Sequence, residues 1–191
     1  MSKIIIFTDG SSRGNPGPGG WGAIIVRSEK LKVKSDPPSL LENSELRRAG
    51  KTQGGDFIVT ELGGGEKITT NNRMELMAAI GGISCVSEDG EITVYSDSTY
   101  IIKGITEWIH GWKRNGWRTK AKDDVLNKDL WMKLDECAKN KDIKWKYIKG
   151  HAGITGNERC DQIATGFADG EAVKLYKGAM KGYEFKDVLK V

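Results

Sequence analysis

Cysteine, histidine and long apolar runs are all scarce in this chain of 191 residues. The three cysteines, Cys85, Cys137 and Cys160, are too few and too irregularly spaced for a disulfide framework or a thiolate zinc site. The first apolar run, residues 4–7, is far shorter than the roughly 20 residues of a membrane span, and too short for a secretory signal. We therefore expect a reduced, cytoplasmic protein with no membrane partner.

An excess of charge of one sign is also missing, because 30 basic residues stand against 26 acidic ones and leave a net charge of +4. The positions of the charges are more informative than their sum. Residues 111–122 contain several cations and no acid, and tryptophans are interleaved with them. A basic run is usually only a solvated face, but exposed tryptophan is unfavourable unless it packs or meets a ligand. Phosphates and sugars suit such a surface.

Apolar periodicity predicts one α/β domain, in which helices pack against a single mixed sheet. No internal repeat or linker divides the chain. The expected strands cover residues 3–8, 21–26, 57–62, 92–95 and 143–148. The expected helices cover residues 71–86, 100–109, 127–139 and 157–168, with a further short helix at 40–49.

Two of the buried strands end in the same way, with a hydroxyl residue, an aspartate and a turn. Asp9 follows Thr8 at the end of the first strand, and Asp97 follows Ser96 at the end of the fourth. A lone aspartate after a strand is usually a turn former or a helix cap. If the two strands are parallel neighbours, however, both carboxylates lie at the carboxyl edge of the sheet, where α/β sheets bind ligands. Such a pair would repel unless a cation neutralised it, which predicts a metal site.

Two more acids and one histidine are candidates for the same site. Glu75 lies in the first turn of a helix that is otherwise apolar, and Asp161 lies near the start of the last helix. The helix macrodipole alone would also favour an acid at the position of Glu75. An all-oxygen cluster suits Mg²⁺ or Mn²⁺. His151 occurs in a glycine-rich loop, and a histidine beside carboxylates can move protons near neutral pH.

These residues resemble type 1 ribonuclease H, the bacterial-like ribonuclease HI family, which cuts the RNA strand of an RNA/DNA hybrid. The resemblance covers most of the chain and implies an α/β, ribonuclease H-like fold with a five-stranded mixed sheet and helices on both faces. Five sequence blocks carry it in the family's order, namely TDGS at 8–11, GNPGPGGWG at 14–22, TTNNRMEL at 69–76, SDS at 96–98 and KGHAGITGNERCD at 149–161.

The resemblance also implies roles for individual residues. Four acids would hold two Mg²⁺ ions, for which Mn²⁺ can substitute, and His151 would help to activate water or release product. The reaction implied is two-metal hydrolysis that leaves 5′-phosphate and 3′-hydroxyl ends. The metal-binding acids are Asp9, Glu75, Asp97 and Asp161. The residues implied to bind the hybrid are Asn15, Asn71 and Asn72 in its minor groove, and Trp108, Trp112, Lys113, Arg114, Trp117, Arg118 and Thr119 in a basic protrusion that grips the DNA strand.

Three features depart from the family pattern. Thr99 stands where many members carry a glutamine that contacts the hybrid. The segment at about 31–57 is longer than the compact pattern, and the tail at 170–191 has no counterpart that the pattern assigns. We expect residues 1–169 to form the catalytic domain and residues 170–191 to form an extension.

Two alternatives to a hybrid-cleaving enzyme stay open at this point. One is an inactive nucleic-acid-binding module on the same fold, although four repelling acids near one edge would then have no purpose. The other is a nuclease or strand-transfer enzyme of the same broad fold that acts on DNA, which the basic segment and the paired asparagines disfavour. The leading hypothesis predicts a monomer that binds an RNA/DNA hybrid and needs no obligatory protein partner.

Overall fold

The computed structural model describes residues 3–28, 57–86 and 90–191. These residues form a mixed six-stranded sheet in the order β5-β4-β1-β2-β3-β6. The strands are β1 (Lys3–Ser12), β2 (Gly17–Ser28), β3 (Phe57–Thr69), β4 (Glu91–Ser96), β5 (Asp142–Tyr147) and β6 (Lys177–Ala179). The helices are α1 (Asn71–Ser84), α2 (Thr99–Lys103), α3 (Ile109–Arg114), α4 (Lys128–Ala138) and α5 (Thr155–Ala168). The helix expected at 40–49, and all but the last residue of the longer segment at 31–57, lie outside the described residues.

The predicted α/β class is confirmed, and so is the arrangement of the strands that end in aspartate. β1 is antiparallel to β2 and parallel to β4, with Thr8 opposite Ser96. Asp9 and Asp97 each follow one of these paired residues, so both emerge at the carboxyl edge of the sheet.

Alternation along the strands divides the core into two layers. Ile4 and Ile6 point to the face covered by α1, whereas Phe7 points to the opposite face with Cys160 and Ile163 of α5. Helices therefore cover both faces of the sheet, as predicted. None of the described helices is both long and apolar enough to cross a membrane.

β3 is longer than the pattern predicts, because it continues through three glycines that resemble a turn signal. Gly63, Gly64 and Gly65 pair with residues 20–22 of β2. A Cβ atom on Gly63 would lie 2.6 Å from the side chains of Ile163 and Phe167. Gly63 and Gly65 therefore allow α5 to approach the sheet, Gly64 leaves room for the indole of Trp21, and none of the three ends the strand.

The predicted helix at 100–109 is part of a longer helical run that ends at Arg114. Between α2 and α3, a wide π-helical turn covers Gly104–Trp108. A Cβ atom on Gly104 would lie 2.0 Å from the buried indole of Trp131. The close packing of α4 on this turn requires glycine at position 104, and periodicity alone does not reveal it.

The sheet has one short strand more than the five that the resemblance implies. β6 pairs antiparallel with β3, with Gly178 opposite Val59. Three residues are too few to produce an alternating pattern, so the sequence gives no signal for this strand. Beyond it, Tyr183 and Val188 are buried in the α5 layer of the core.

Candidate active site

Three of the predicted acids come together at the carboxyl edge of the sheet. Carboxylate oxygens of Asp9, Glu75 and Asp97 all lie within 4.8 Å of one another. Asp9 is 7% exposed and Glu75 is 5% exposed, so two of the three are buried. Asp9 lies in β1 and Asp97 directly follows β4. Glu75 comes from α1 but lies just beyond its first turn, which contains no acid, and not within that turn as the sequence predicts.

A glycine brings α1 close enough for Glu75 to join the aspartates. A Cβ atom on Gly10 would lie only 2.2 Å from the backbone nitrogen of Glu75, so the helix rests directly on the β1 backbone. Asn71 then donates a hydrogen bond of 3.4 Å from its side-chain amide to Oε1 of Glu75. The other oxygen, Oε2, is buried and accepts no hydrogen bond from the part of the chain that the structure describes.

The electrostatics of this group oppose ionisation. Burial, together with the charges of Asp97 and Asp161, raises the pKa of Asp9 to about 8, although the amide of Gly10 donates a 2.8 Å hydrogen bond that lowers it. Burial and the neighbouring Asp9 and Asp97 also raise the pKa of Glu75 well above its ordinary value. A divalent cation would relieve this repulsion and satisfy the orphaned oxygen of Glu75. The residues therefore fit a metal ion bound by oxygen.

Asp161, the fourth predicted acid, lies outside the compact group of three. It is half-buried on α5, yet its negative charge contributes to the raised pKa of Asp9. The position of α5 follows from two glycines of β2, since Cβ atoms on Gly20 and Gly22 would lie 2.2 and 2.5 Å from backbone oxygens of that helix. Asp161 thus faces the acidic group from a helix packed directly against the sheet.

Asn157 is a site residue that the sequence pattern does not single out. It is 2% exposed, and its side-chain amide donates a 2.9 Å hydrogen bond to Oδ2 of Asp97. Its own Oδ1 is buried without a hydrogen-bond partner in the described ranges. The available signal is spacing, because Asn157 precedes Asp161 by four residues and so lies on the same face of α5.

His151 lies in the loop between β5 and α5, exposed and with a left-handed backbone φ of 52°. Its neighbour Gly150 explains how this loop comes close to the acids. A Cβ atom on Gly150 would lie 2.6 Å from Oδ2 of Asp97. The amide of Gly153 also donates a 3.0 Å hydrogen bond to Oε1 of Glu158 on α5. The loop is therefore anchored beside Asp97, with His151 at the solvent side.

The three asparagines implied to bind the hybrid lie at the end of the sheet that carries the acids. Asn15 is exposed in the turn between β1 and β2, and Asn71 and Asn72 begin α1. The pairing of Gly17 with Thr69 places the start of β2 beside the start of α1. This register brings all three amides to the same end of the sheet as the acids.

The tryptophans of the basic segment also contribute to packing. We call residues 108–120 the basic arm. The rings of Trp108 and Trp112 lie 5.8 Å apart, and Trp112 packs against the buried Trp131 at 5.4 Å. Trp117 is half-buried against the same core layer, whereas Trp108 is 36% exposed. These contacts attach the arm to α4 and leave Trp108 the most accessible of its rings.

The cations of the arm differ in their surroundings. Lys113 forms a 2.7 Å ion pair with Asp135 of α4, whereas Arg114 and Arg118 are exposed. The buried hydroxyl of Thr119 has no hydrogen-bond partner in the described parts of the chain.

A separate ion pair, between Arg73 and Asp129 at 2.7 Å, joins α1 to α4. It connects α4, on which the arm packs, to the helix that carries Glu75.

Comparison with known proteins agrees with this geometry. The family model described as RNase H matches residues 1–168. The chain is 45% identical to the ribonuclease H of Roseobacter denitrificans over 166 residues, which cover 86% of this chain and 94% of that protein. It is 46% identical to the ribonuclease H of Bradyrhizobium sp. strain ORS 278 over 164 residues, covering 86% and 88% of the two chains.

Solved structures show the same fold. LC9-RNase H1, a type 1 RNase H with the type 2 active-site motif, superposes with a TM-score of 0.72 at 24% identity, covering all of this chain and 82% of that one. LC11-RNase H1, solved in complex with an RNA/DNA hybrid, superposes with a TM-score of 0.52 at 23% identity, covering 87% and 97% of the two chains.

Proposed function

Because the chain belongs to the ribonuclease H family, whose members are endoribonucleases, we propose that it hydrolyses the RNA strand of RNA/DNA hybrids with two Mg²⁺ ions. The products would carry 5′-phosphate and 3′-hydroxyl ends. One observation carries the proposal, namely the approach of Asp9, Glu75 and Asp97 to within 4.8 Å at the carboxyl edge of the sheet. Buried acids packed this closely destabilise a folded protein, and binding of metal ions accounts for their presence.

The residues that would hold the ions are Asp9, Glu75, Asp97 and Asp161. Their donor atoms are all carboxylate oxygens, the ligands that suit Mg²⁺ and that also accept Mn²⁺. When bound, two such ions supply an activated water and stabilise the charge on the leaving oxygen. The orphaned Oε2 of Glu75 supports this assignment, since a buried carboxylate oxygen without a donor needs another partner.

The chain's own groups orient these ligands and move protons. Asn157 holds Oδ2 of Asp97, and Asn71 holds Oε1 of Glu75, so each carboxylate keeps one oxygen fixed while the other is free to bind. His151, exposed beside Asp97, exchanges protons between the site and bulk water, and thereby assists water activation or product release.

Hybrid recognition would use the two remaining sets of predicted residues. The amide of Asn71 bonds Glu75, and Asn15 and Asn72 lie at the same end of the sheet. Amides in this position can bond the 2′-hydroxyl groups that distinguish RNA from DNA. The cations of the basic arm would contact phosphates of the DNA strand, and Trp108 would contact its sugars. The complex of LC11-RNase H1 with an RNA/DNA hybrid supports this substrate.

The proposal extends to the organisation of the protein. The family match ends at residue 168, which supports residues 1–169 as the catalytic domain and residues 170–191 as an extension. The three cysteines are free, as expected of a cytoplasmic enzyme. The basic arm gives the domain its own surface for the hybrid, so we propose a monomer that acts without an obligatory partner.

The deciding experiment presents one sequence as RNA/DNA hybrid, RNA duplex, DNA duplex and single-stranded RNA, each with Mg²⁺ and with chelator. We expect cleavage only of the RNA in the hybrid, lost with chelator, and end analysis should find 5′-phosphates. Binding of the hybrid without cleavage would replace the proposal with an inactive binding module. Cleavage of the DNA duplex would replace it with a DNA nuclease.

A further inference from the structure

The tail at 170–191 returns across α5 and meets a buried carboxylate that has no part in the acidic site. Glu61 of β3 is 3% exposed, and its two carboxylate oxygens accept four hydrogen bonds, donated by three residues. Two come from the guanidinium of Arg159 on α5, at 2.8 and 3.0 Å. The others come from the tail, namely from the amide of Tyr176 at 2.9 Å and the hydroxyl of Tyr183 at 2.7 Å.

We call Glu61, Arg159, Tyr176 and Tyr183 the clasp. The tail also holds Arg159 from its other side, since Arg159 donates a 3.1 Å hydrogen bond to the carbonyl of Lys174 and lies 5.0 Å from the ring of Phe185. Burial alone would raise the pKa of Glu61, but the hydrogen bonds from Arg159, Tyr183 and Tyr176 lower it overall. The carboxylate is therefore an ionised, fully bonded junction between β3, α5 and the tail.

The clasp grips α5 on the side away from the acids. At 3.6 residues per turn, Arg159 and Asp161 lie about 200° apart around the helix. Asn157 and Asp161, four residues apart, share the face that carries the contact to Asp97. One side of the helix is thus tied to the acidic site, and the other is tied to Glu61 and the tail. Contacts on both sides of the helix oppose its rotation about its axis and its sliding along the glycines of β2.

We propose that the tail is a positioning element of the active site, which acts through the clasp to fix the orientation in which α5 presents Asp161. This inference rests on the proposed function, because it concerns the acid that would complete the metal site. It assigns a role to residues 170–191, and it makes Glu61, Arg159 and Tyr183 positioning residues that do not touch substrate.

The test compares three full-length variants, Tyr183→Phe, Glu61→Gln and Val188→Ala. The first two weaken the clasp with almost no change of volume. The third is the matched control, because it loosens a buried apolar residue of the same tail that cannot hydrogen-bond to Glu61. MgCl₂ is titrated while the backbone amide resonances of Asp9 and Asp161 are followed by NMR, and kcat and KM for hybrid cleavage are measured at the same Mg²⁺ concentrations.

We expect Tyr183→Phe and Glu61→Gln to weaken Mg²⁺ binding by up to about tenfold, the lower end of the effect of removing a group that bonds a metal ligand directly, because the clasp acts through α5. The Mg²⁺ concentration that gives half-maximal kcat should rise by the same factor, while KM for the hybrid stays unchanged. Val188→Ala should lower the melting temperature but leave Mg²⁺ binding at the wild-type value. If Glu61→Gln does not fold, Tyr183→Phe, which removes a single hydroxyl, still decides the question.

Two results would overturn the inference. In one, both clasp variants bind Mg²⁺ as the wild type does, so the tail only stabilises the fold. In the other, Val188→Ala weakens Mg²⁺ binding as much as they do, so any loosening of the tail has the same effect. Failure of the proposed function can be told apart from failure of this inference. In the first case the wild-type protein does not cleave hybrids, whereas the NMR titration tests the clasp without a substrate.

Discussion

The side-chain amide of Asn157 donates a 2.9 Å hydrogen bond to Oδ2 of Asp97, across the gap between α5 and the end of β4. This bond holds Oδ2 in place, so the carboxylate of Asp97 keeps one orientation. We expect Asn157→Ala to lower kcat by about ten- to a hundredfold, as loss of a group that orients a metal ligand does, with little change in KM. Steady-state cleavage of a hybrid measures both constants.

Asn140→Gly is a suitable control for this variant, since Asn140 is exposed in the turn before β5, at the end of that strand away from the acids, and glycine readily adopts its left-handed backbone φ of 61°. It should retain wild-type turnover. Wild-type kcat in Asn157→Ala would show that Asp97 is oriented without the hydrogen bond.

Asp97 itself should be indispensable for turnover. Asp97→Asn preserves the shape of the side chain but removes a negative charge from the group of three acids. Loss of several kcal/mol of transition-state stabilisation corresponds to a decrease in kcat of about a thousandfold or more. Hybrid binding, measured by fluorescence anisotropy, should remain within about threefold of wild type, because the amides and cations that we propose contact the hybrid are untouched. A variant that cleaves normally would remove Asp97 from the site.

The raised pKa of Asp9, about 8, predicts how the metal-free protein responds to pH. The folded state binds this proton more tightly than the unfolded chain, whose aspartates titrate near 3.8. The free energy of unfolding should therefore fall as the pH rises from about 4 to about 8, and Glu75 adds to the same trend. Urea denaturation at several pH values, in the presence of chelator, measures this dependence.

Asp9→Asn provides the matching variant for that titration. Without the buried charge, the fall in stability should be shallower, and the variant should be more stable than wild type at pH 8 by about 1–3 kcal/mol. Asp142→Asn serves as the control, because it removes the same charge from an exposed position outside the group of acids. If Asp9→Asn and wild type have parallel profiles, Asp9 is ionised in the folded protein across this range.

Mg²⁺ should stabilise the folded protein, because it binds the acids only when they are brought together. At a concentration about 100 times the dissociation constant, binding to one site adds about 2.7 kcal/mol to the free energy of unfolding. Differential scanning calorimetry should show a rise in melting temperature with MgCl₂ that is strongly reduced in Asp9→Asn. An equal rise in both proteins would place the stabilising ion elsewhere.

The basic arm should determine affinity for the hybrid and its dependence on salt. Replacing Lys113, Arg114 and Arg118 with alanine should weaken binding by about tenfold or more and reduce the salt slope by about 2–3, whereas kcat at saturating hybrid should change less. Replacing the exposed Lys174, Lys177 and Lys181 of the tail removes the same charge from another surface. That control should keep the wild-type salt slope. If both triple variants lose hybrid affinity equally, the arm contributes only through the net charge of the protein.

Much of the fold and of the acidic site follows from local sequence. The pairing of the strands that end in Asp9 and Asp97 is predicted by their shared ending, because the parallel neighbours of an α/β sheet meet at one edge. Glu75 is predicted because a lone acid on a small, apolar helix face has few other reasons to occur there.

The features that escape prediction depend on contacts between distant segments. β3 continues through three glycines, of which Gly63 and Gly65 receive α5, about a hundred residues later, and Gly64 receives the indole of Trp21. The π-helical turn begins at Gly104, where the absence of a side chain leaves room for the indole of Trp131. β6 and the clasp depend on Glu61, whose partners in α5 and the tail cannot be inferred from spacing. Tertiary packing decides each of these, and a single sequence does not reveal it.

Gly10, Gly20 and Gly22 are the points at which α1 and α5 touch the two faces of the sheet. At each of them backbone meets backbone, so no adjustable side chain sets the distance between a helix that carries an acid and the strands beneath it. Substitutions among the apolar side chains around these contacts should consequently change thermal stability more than the distance between the carboxylates of Asp9 and Glu75.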